Sequence, residues 1–179
     1  MSPPLLAEVR RARTSDVPGI RALVDSYTAD RRLLAKQMVT LYEDVQEFFV
    51  AHDGTRVVGC GALHVLWEDL GEVRTLAVLP EVTGKGVGSA LLSRIVENAR
   101  ELGVRRLFCL TFETGFFAAH GFVQVQDSIV DVEVRAELLC SADEGVAEFL
   151  DLERVKPNTL GNTRMLAVLP TEDNRGAAR

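Results

Sequence analysis

The chain has 179 residues and a mass of 19.6 kDa, a length typical of one compact domain. Hydrophobic residues make up 47% and charged residues 26%, a balance that excludes wholesale disorder and fibrous repeats. The formal net charge is −6, with 20 basic against 26 acidic side chains, so a surface built to neutralise nucleic-acid phosphates is not expected.

The three cysteines, Cys60, Cys109 and Cys140, are too scattered to suggest a disulfide framework or a zinc site, so no metal is predicted. The first ten residues do not show the basic and then apolar segments of a secretory signal. The apolar runs are too short to span a membrane, which needs about 18 such residues. We therefore expect a cytoplasmic protein without a membrane partner.

The chain begins with a predicted strand from Glu8 to Arg13. A helix should follow near Thr14, where hydroxyl and carboxylate side chains precede Pro18. Its inner face is predicted from helical spacing to carry Ile20, Leu23, Val24 and Tyr27. A second helix is predicted from about Arg32 to Asp44, with an apolar stripe at Leu34, Met38, Leu41 and Val45.

An antiparallel pair of strands is predicted next, with Phe48–Ala51 joined to Val57–Val65 through a turn at Asp53 and Gly54. Two glycines, Gly59 and Gly61, lie inside the second of these strands. They indicate either a bulge or close backbone approach, or simply the packing of small residues.

A strand from Gly71 to Leu79, a glycine loop and a helix follow without a break. The helix should bury a stripe at Val87, Leu91, Ile95, Ala99 and Leu102, and Gly103 should end it. The apolar run from Arg105 to Thr111 is typical of a buried parallel strand, which completes a βαβ unit.

The last third has a less regular pattern. It predicts a short helix over Phe116–Ala119, a strand over Phe122–Val125, a polar stretch from Leu138 to Leu152 and an apolar strand after Met165. We expect a single domain over residues 1–170 and a frayed tail over 171–179. Apolar strands near this end are compatible with a homodimer.

The glycine loop is the segment with the clearest chemical meaning. Gly84, Gly86 and Gly88 lie where a helix begins, and a helix start presents N–H groups and partial positive charge to an anion. The spacing fits neither the Rossmann nor the P-loop pattern. A phosphate is the natural ligand, and a tight strand-to-helix connection is the alternative.

The run from Gly71 to Leu92, EVRTLAVLPEVTGKGVGSA at its centre, resembles the acetyl-coenzyme-A motif of the GNAT acetyltransferases. The later run FFAAHGF, from Phe116 to Phe122, is similar to the closing motif of that family. The resemblance covers residues 8–125 and is greatest to the acetyltransferase module of bacterial N-acetylglutamate synthases. It would be a stand-alone module, because 179 residues leave no room for an amino-acid-kinase domain.

The resemblance implies the α/β GNAT fold, with a splayed mixed sheet flanked by helices that holds the pantetheine of acetyl-CoA between two strands. The backbone of Leu76, Ala77 and Val78 would bind the pantetheine, and the amides from Lys85 to Ser89 would take the pyrophosphate. The implied coenzyme residues are Leu76, Ala77, Val78, Gly84, Lys85, Gly86, Val87, Gly88 and Ser89. Thr83 departs from the Arg or Gln with which the family usually begins this loop, so the backbone amides and the Lys85 side chain must suffice.

Acetyl transfer needs a base for the attacking amine and a donor for the oxyanion. Glu72 matches the catalytic glutamate of some GNAT lineages, and strand alternation would place it on one face with Arg74 and Leu76. We expect Glu72 to act through a water while the N–H of Ala77 or a neighbour polarises the carbonyl. The alternative is a surface pair between Glu72 and Arg74.

Many members of the family carry a tyrosine where this chain has Phe117. Thr111 or Thr114 could supply a proton instead, or the thiolate could leave unassisted, since a thiol pKa lies near about 8.5. Phe117 itself is expected to be a core aromatic residue.

The resemblance implies transfer to the α-amino group of an amino acid, L-glutamate or else L-glutamine, as the first step of arginine biosynthesis. Glutamate carries two carboxylates, so its site should contain basic groups, and the candidates are Lys36, Arg74 and Arg164. The alternatives are transfer to a protein or another small amine, or a non-catalytic acetyl-CoA sensor.

Overall fold

The computed structural model describes residues 7–28, 33, 36–126, 129–150 and 161–170. The strands are β1 (Glu8–Arg11), β2 (Phe48–His52), β3 (Val57–Trp67), β4 (Leu70–Val78), β5 (Arg106–Thr111), β6 (Val123–Gln124) and β7 (Thr163–Val168). The helices are α1 (Val17–Thr28), α2 (Met38–Glu43), α3 (Val87–Glu101), α4 (Thr114–Ala119), α5 (Val132–Leu138) and α6 (Glu144–Phe149).

The strands form a seven-stranded sheet in the order β1-β2-β3-β4-β5-β7-β6. β4 and β5 are parallel, while β2 pairs antiparallel with both β1 and β3, and β7 with both β5 and β6. The predicted mixed sheet is therefore confirmed, and the predicted tail over 171–179 lies outside the described residues. No helix in the described ranges is long and apolar enough to cross a membrane.

The chain divides into two compact units. The first comprises Met1–His64 and Val73–Gly103, and the second comprises Val65–Glu72 and Val104–Arg179. Each unit has a hydrophobic cluster of its own.

Helix α1 contributes to the core of the first unit. Asp16 lies just before this helix and is almost buried, and its carboxylate accepts two hydrogen bonds from the Arg10 guanidinium, at 2.7 and 3.0 Å. It also accepts one from the Arg13 backbone N–H at 2.7 Å. The buried cluster consists of Val17, Ile20, Leu23, Val24, Leu41, Phe48, Val50, Val57, Cys60, Ala62 and Ala77. The predicted inner face of α1 is thus confirmed, with Tyr27 half-buried at its edge.

The second predicted helix is shorter than the pattern suggests. The backbone of Gln37 is extended, with φ −67° and ψ 150°, and its carbonyl accepts from Leu41 as the first turn of α2 closes. The predicted start near Arg32 and the stripe residue Leu34 lie outside the described residues. Met38 is exposed and Leu41 is buried, so the predicted stripe holds only in part.

The two glycines of β3 allow close packing against α3 and β4 in the first unit. A Cβ atom on Gly59 would stand 2.9 Å from Leu91 Cδ1, and one on Gly61 would stand 2.9 Å from Ile95 Cδ1. The register between β2 and β3 also shifts between Ala51 and His52, opposite Gly59 and Val57. The register is therefore irregular beside Gly59, and both glycines pack closely against side chains, as the alternative of small-residue packing expects.

Helix α3 buries most of its predicted stripe. Val87, Leu91, Ile95 and Ala99 are buried, but Leu102 is 57% exposed, which corrects the prediction for that residue. The helix ends at Glu101, and Gly103 takes a left-handed φ of +85°, so the chain turns away before Leu102 can continue the buried stripe.

The second unit contains the parallel pair. Leu70–Glu72 of β4 lie in register with Arg106–Phe108 of β5, as the predicted βαβ unit requires. Arg106 donates to both carboxylate oxygens of Asp69, at 2.9 and 3.0 Å, and to the Ile129 carbonyl at 2.6 Å. The buried cluster consists of Leu66, Leu70, Phe108, Leu138, Val146, Phe149 and Leu150.

Candidate active site

The glycine loop of the first unit adopts the conformation that its residue types allow. Gly84 and Gly86 have φ angles of +77° and +82°, in the left-handed region that glycine enters without steric cost. Gly86 is the N-cap of α3, and the first hydrogen bond within the helix runs from Ala90 to the Gly86 carbonyl at 3.0 Å. The N–H groups of Val87, Gly88 and Ser89 lie in the first turn of this 15-residue helix, the part of a helix at which anions bind.

The backbone of Lys85 has a hydrogen-bond partner within the loop. Its N–H donates to the Val82 carbonyl at 3.2 Å, and the residue as a whole is exposed. The hydroxyl of Thr83 lies 3.4 Å from the Leu79 carbonyl. The backbone positions best placed for an anion are therefore Gly86 to Ser89, with Lys85 offering its ammonium group.

Strand β4 carries a feature that the sequence pattern does not indicate. Thr75 has φ +54°, a left-handed conformation that is unfavourable for a β-branched residue. Ala77, two residues after Thr75, packs in the cluster with α1. Leu76 lies instead against Gly61, near Ile95 of α3, and a Cβ atom added to Gly61 would stand 2.8 Å from Leu76 Cδ1.

The predicted placement of Glu72, Arg74 and Leu76 on one face is consequently wrong for Leu76. Simple alternation requires every strand residue to be extended, and Thr75 is not. The alternation that relates Glu72 to Arg74 is unaffected. A threonine gives no sequence signal for this bend, since glycine and asparagine are the residues that usually mark one.

Glu72 and Arg74 are 5% and 9% exposed, respectively. The surface location assumed by the alternative is therefore wrong, since both side chains are buried. In the second unit, burial raises the pKa of the Cys109 thiol, and the negative charge of Glu72 raises it further. Cys109 thus stays protonated beside the carboxylate, as expected for a small buried hydrophobic residue.

The basic residues proposed for the acceptor have protein partners. In the first unit, Lys36 Nζ lies 3.7 Å from Asp44 Oδ2, and its side chain is 19% exposed. In the second unit, Arg164 Nη1 donates to the Phe149 carbonyl at 3.1 Å and its guanidinium lies 5.9 Å from the Phe108 ring centroid.

Phe117 is buried, and its ring makes edge-on contacts with the rings of Phe116 and Phe122. The ring centroids are 5.2 Å apart for Phe116 and 5.1 Å apart for Phe122. Its predicted role as a core aromatic residue is confirmed. The Thr111 hydroxyl accepts from the Glu113 N–H at 2.9 Å. Within the described ranges, no cluster of three or more His, Cys, Asp or Glu residues could hold a metal ion.

Known proteins resemble this chain in sequence and in fold. The model of the acetyltransferase (GNAT) family matches residues 17–125, which include the glycine loop, β4 and the Phe117 segment. The chain belongs to the GNAT acetyltransferase family. It is therefore an acetyltransferase whose acetyl donor is acetyl-CoA, and the resemblance stated from its motifs is confirmed.

A Mycobacterium tuberculosis protein named amino-acid acetyltransferase is 60% identical over 164 residues, which cover 90% of this chain and 94% of that protein. A Mycobacterium tuberculosis crystal structure, in complex with CoA and a second ligand (NLQ), is 59% identical, with a TM-score of 0.87 over 91% of this chain and 99% of that one.

A crystal structure of N-acetylglutamate synthase from Neisseria gonorrhoeae contains coenzyme A and N-acetyl-glutamate. It is 26% identical with a TM-score of 0.73, and it covers 93% of this chain but 36% of the synthase. These similarities confirm the predicted GNAT fold.

Proposed function

We propose that this GNAT acetyltransferase transfers the acetyl group of acetyl-CoA to the α-amino group of free L-glutamate, the first step of arginine biosynthesis. The observation that carries the proposal is the 60% identity to an amino-acid acetyltransferase over nearly the full length of both proteins. The N-acetyl-glutamate in the Neisseria gonorrhoeae synthase structure supports glutamate as the acceptor.

The coenzyme would bind along the first unit. Gly86, Val87, Gly88 and Ser89 would donate backbone N–H groups to its pyrophosphate, Gly84 would shape the loop, and the Lys85 ammonium would add a positive charge. The backbone of Leu76, Ala77 and Val78 would bind the pantetheine arm.

Glu72 would act as the general base. Its carboxylate would accept, through a water, a proton from the ammonium group of glutamate, and the free amine would attack the thioester carbonyl. A β4 amide such as that of Ala77 would stabilise the oxyanion. In the tetrahedral intermediate the attacking nitrogen still carries a second proton to lose, which would pass to solvent. Collapse of the intermediate would then break the C–S bond, leaving the N-acetyl amide and the CoA thiolate, which takes up a proton from solvent.

Lys36, Arg74 and Arg164 would bind the two carboxylates of glutamate. Arg74 is almost buried, where a guanidinium interacts strongly with a carboxylate. The 3.7 Å separation of Lys36 from Asp44 leaves the ammonium able to turn to an anionic ligand. Replacing each residue by methionine should raise the KM for glutamate and leave the KM for acetyl-CoA near the wild-type value.

An acceptor panel tests the proposal. The purified chain is given acetyl-CoA and, separately, glutamate, glutamine, aspartate, lysine, glycine, a peptide with a free N-terminus and spermidine, and CoA release is followed. The highest kcat/KM is expected with glutamate. A preference for glutamine would show that the acceptor is the amino acid with the uncharged side chain. A preference for the peptide or spermidine would overturn the proposal of a free amino acid as acceptor.

A non-catalytic sensor gives a different result in the same assay. Such a protein would bind CoA in calorimetry and show no turnover with any amine in the panel. The charge-removing variants then give a second check, because a glutamate enzyme should lose its preference over glutamine when a cation that binds the side-chain carboxylate is removed.

A further inference from the structure

Two side chains of the first unit hydrogen-bond to backbone carbonyls that flank the centre of the proposed pantetheine-binding segment. The Tyr27 hydroxyl, on α1, donates to the Val78 carbonyl at 2.6 Å. The Cys60 thiol, on β3, donates to the Thr75 carbonyl at 3.5 Å. The carbonyls that receive these bonds lie on either side of Leu76 and Ala77.

Both donors are themselves fixed by the core. Cys60 is fully buried in the cluster with α1, and burial raises its pKa to about 12, so the thiol keeps the proton that it donates. Tyr27 packs against the same cluster and reaches β4 from the last turn of α1. The two hydrogen bonds therefore join one short stretch of β4 to side chains in or packed against the buried cluster of the first unit.

This stretch requires external support because of Thr75. A threonine at φ +54° is strained, and the strain disappears if the residue returns to the extended region. That change would restore simple alternation, so Leu76 would leave its position beside Gly61 and the peptide groups from Leu76 to Val78 would turn to other directions. A bond to the Thr75 carbonyl opposes this change directly, and the bond to Val78 fixes the other end.

We infer that Tyr27 and Cys60 are positioning residues for acetyl-CoA, which hold the Leu76–Val78 backbone in the orientation that binds the pantetheine arm. The inference rests on the proposed function, because it assigns a role relative to the coenzyme and not to the amino acid. Neither side chain needs to touch the coenzyme for this role.

The test compares single-atom changes with matched controls. Tyr27→Phe removes only the hydroxyl, and Tyr42→Phe is its control, since Tyr42 is the other tyrosine and lies exposed on α2. Cys60→Ala removes the thiol donor, and Cys60→Ser returns a donor of similar size. For each purified full-length variant, the Kd for CoA is measured by calorimetry, the KM values by initial rates and the Tm by thermal unfolding.

We expect Tyr27→Phe and Cys60→Ala each to raise the Kd for CoA and the KM for acetyl-CoA by about three- to tenfold. This is the change in affinity that the net contribution of one hydrogen bond usually produces. The KM for the amino acid should change by less than about twofold. Cys60→Ser should recover part of the CoA affinity, and Tyr42→Phe should match the wild type.

A lower Tm with an unchanged Kd for CoA would show that the two residues serve stability alone and would overturn the inference. An equal rise of both KM values would overturn it as well, because the effect would not be specific to the coenzyme. Failure of the wild type to bind CoA at all would instead contradict the proposed function, so the two failures are distinguishable.

Discussion

Gly61 of β3 lies against Leu76 of β4, and a Cβ atom at Gly61 would stand only 2.8 Å from Leu76 Cδ1. The same atom would stand 2.9 Å from Ile95 Cδ1 on α3. The absence of a side chain on β3 is therefore what allows Leu76 to turn toward the helix after the bend at Thr75. Leu76 thus takes part both in this core contact and in the backbone segment proposed to bind acetyl-CoA.

Gly61→Ala should destabilise the protein by about 1–3 kcal/mol, because the new methyl group overpacks this contact. The displacement of Leu76 should also weaken CoA binding. Urea unfolding and calorimetry measure the two effects. Gly115→Ala is the control, since a Cβ at Gly115 on α4 meets nothing within 4 Å, and we expect equal or slightly greater stability there.

Gly86→Ala tests the loop at the start of α3. At φ +82° an alanine is strained by about 1–2 kcal/mol, although space for its methyl group is open. Gly103→Ala is a matched control, with φ +85° and equally open space at the other end of the helix. Both variants should lose similar stability, but only Gly86→Ala should bind CoA more weakly. Equal CoA affinities for the two variants would contradict the role of the loop.

Asp16→Asn should destabilise the protein by about 2 kcal/mol at pH 7, because Asp16 accepts charge-assisted hydrogen bonds from Arg10. The bonds from Arg10 lower the pKa of Asp16 below its ordinary value of 3.8. The stabilisation is therefore present above pH 3.8 and is lost as the pH falls through the pKa of the folded state.

Urea unfolding of the wild type and of Asp16→Asn at several pH values checks this sign. The difference in the free energy of unfolding should be constant near neutrality and should narrow below about pH 4. Asp25→Asn provides the comparison, since its ion pair with Arg21 is half-exposed and should be worth less than about 1 kcal/mol. A difference that widens on acidification would contradict the account of Asp16.

Glu72→Gln should lower kcat by about 10²- to 10⁴-fold while leaving the Kd for CoA unchanged, because the amide cannot accept the proton of the amine. Glu68→Gln changes the same residue type at an exposed position nearby in the chain and should keep full activity. Initial rates and calorimetry separate the two effects. Retention of wild-type kcat by Glu72→Gln would remove Glu72 from the role of base.

The predictable parts of the site are those in which residue type dictates conformation. Gly84 and Gly86 adopt the left-handed conformations that only glycine enters without cost, and the stripe from Val87 to Ala99 faces the core as helical spacing requires. The GNAT motifs predict the fold because each motif lies in one contiguous segment of the sequence.

The parts that sequence reasoning missed depend on tertiary context. Thr75 is strained into a conformation that its side chain disfavours, and the compensating bonds come from elements distant in the chain, such as Tyr27. The apolar spacing before α2 resembles a helix, yet Gln37 is extended. Local patterns carry no signal for either outcome.

The proposed function requires that the backbone from Leu76 to Val78 and from Gly86 to Ser89 bind acetyl-CoA. Amide hydrogen exchange of the full chain, followed by mass spectrometry with and without acetyl-CoA, tests it most directly. Exchange is expected to be slower in the presence of acetyl-CoA in peptides that cover both segments. Saturating acetyl-CoA that leaves exchange in both segments unchanged would contradict it.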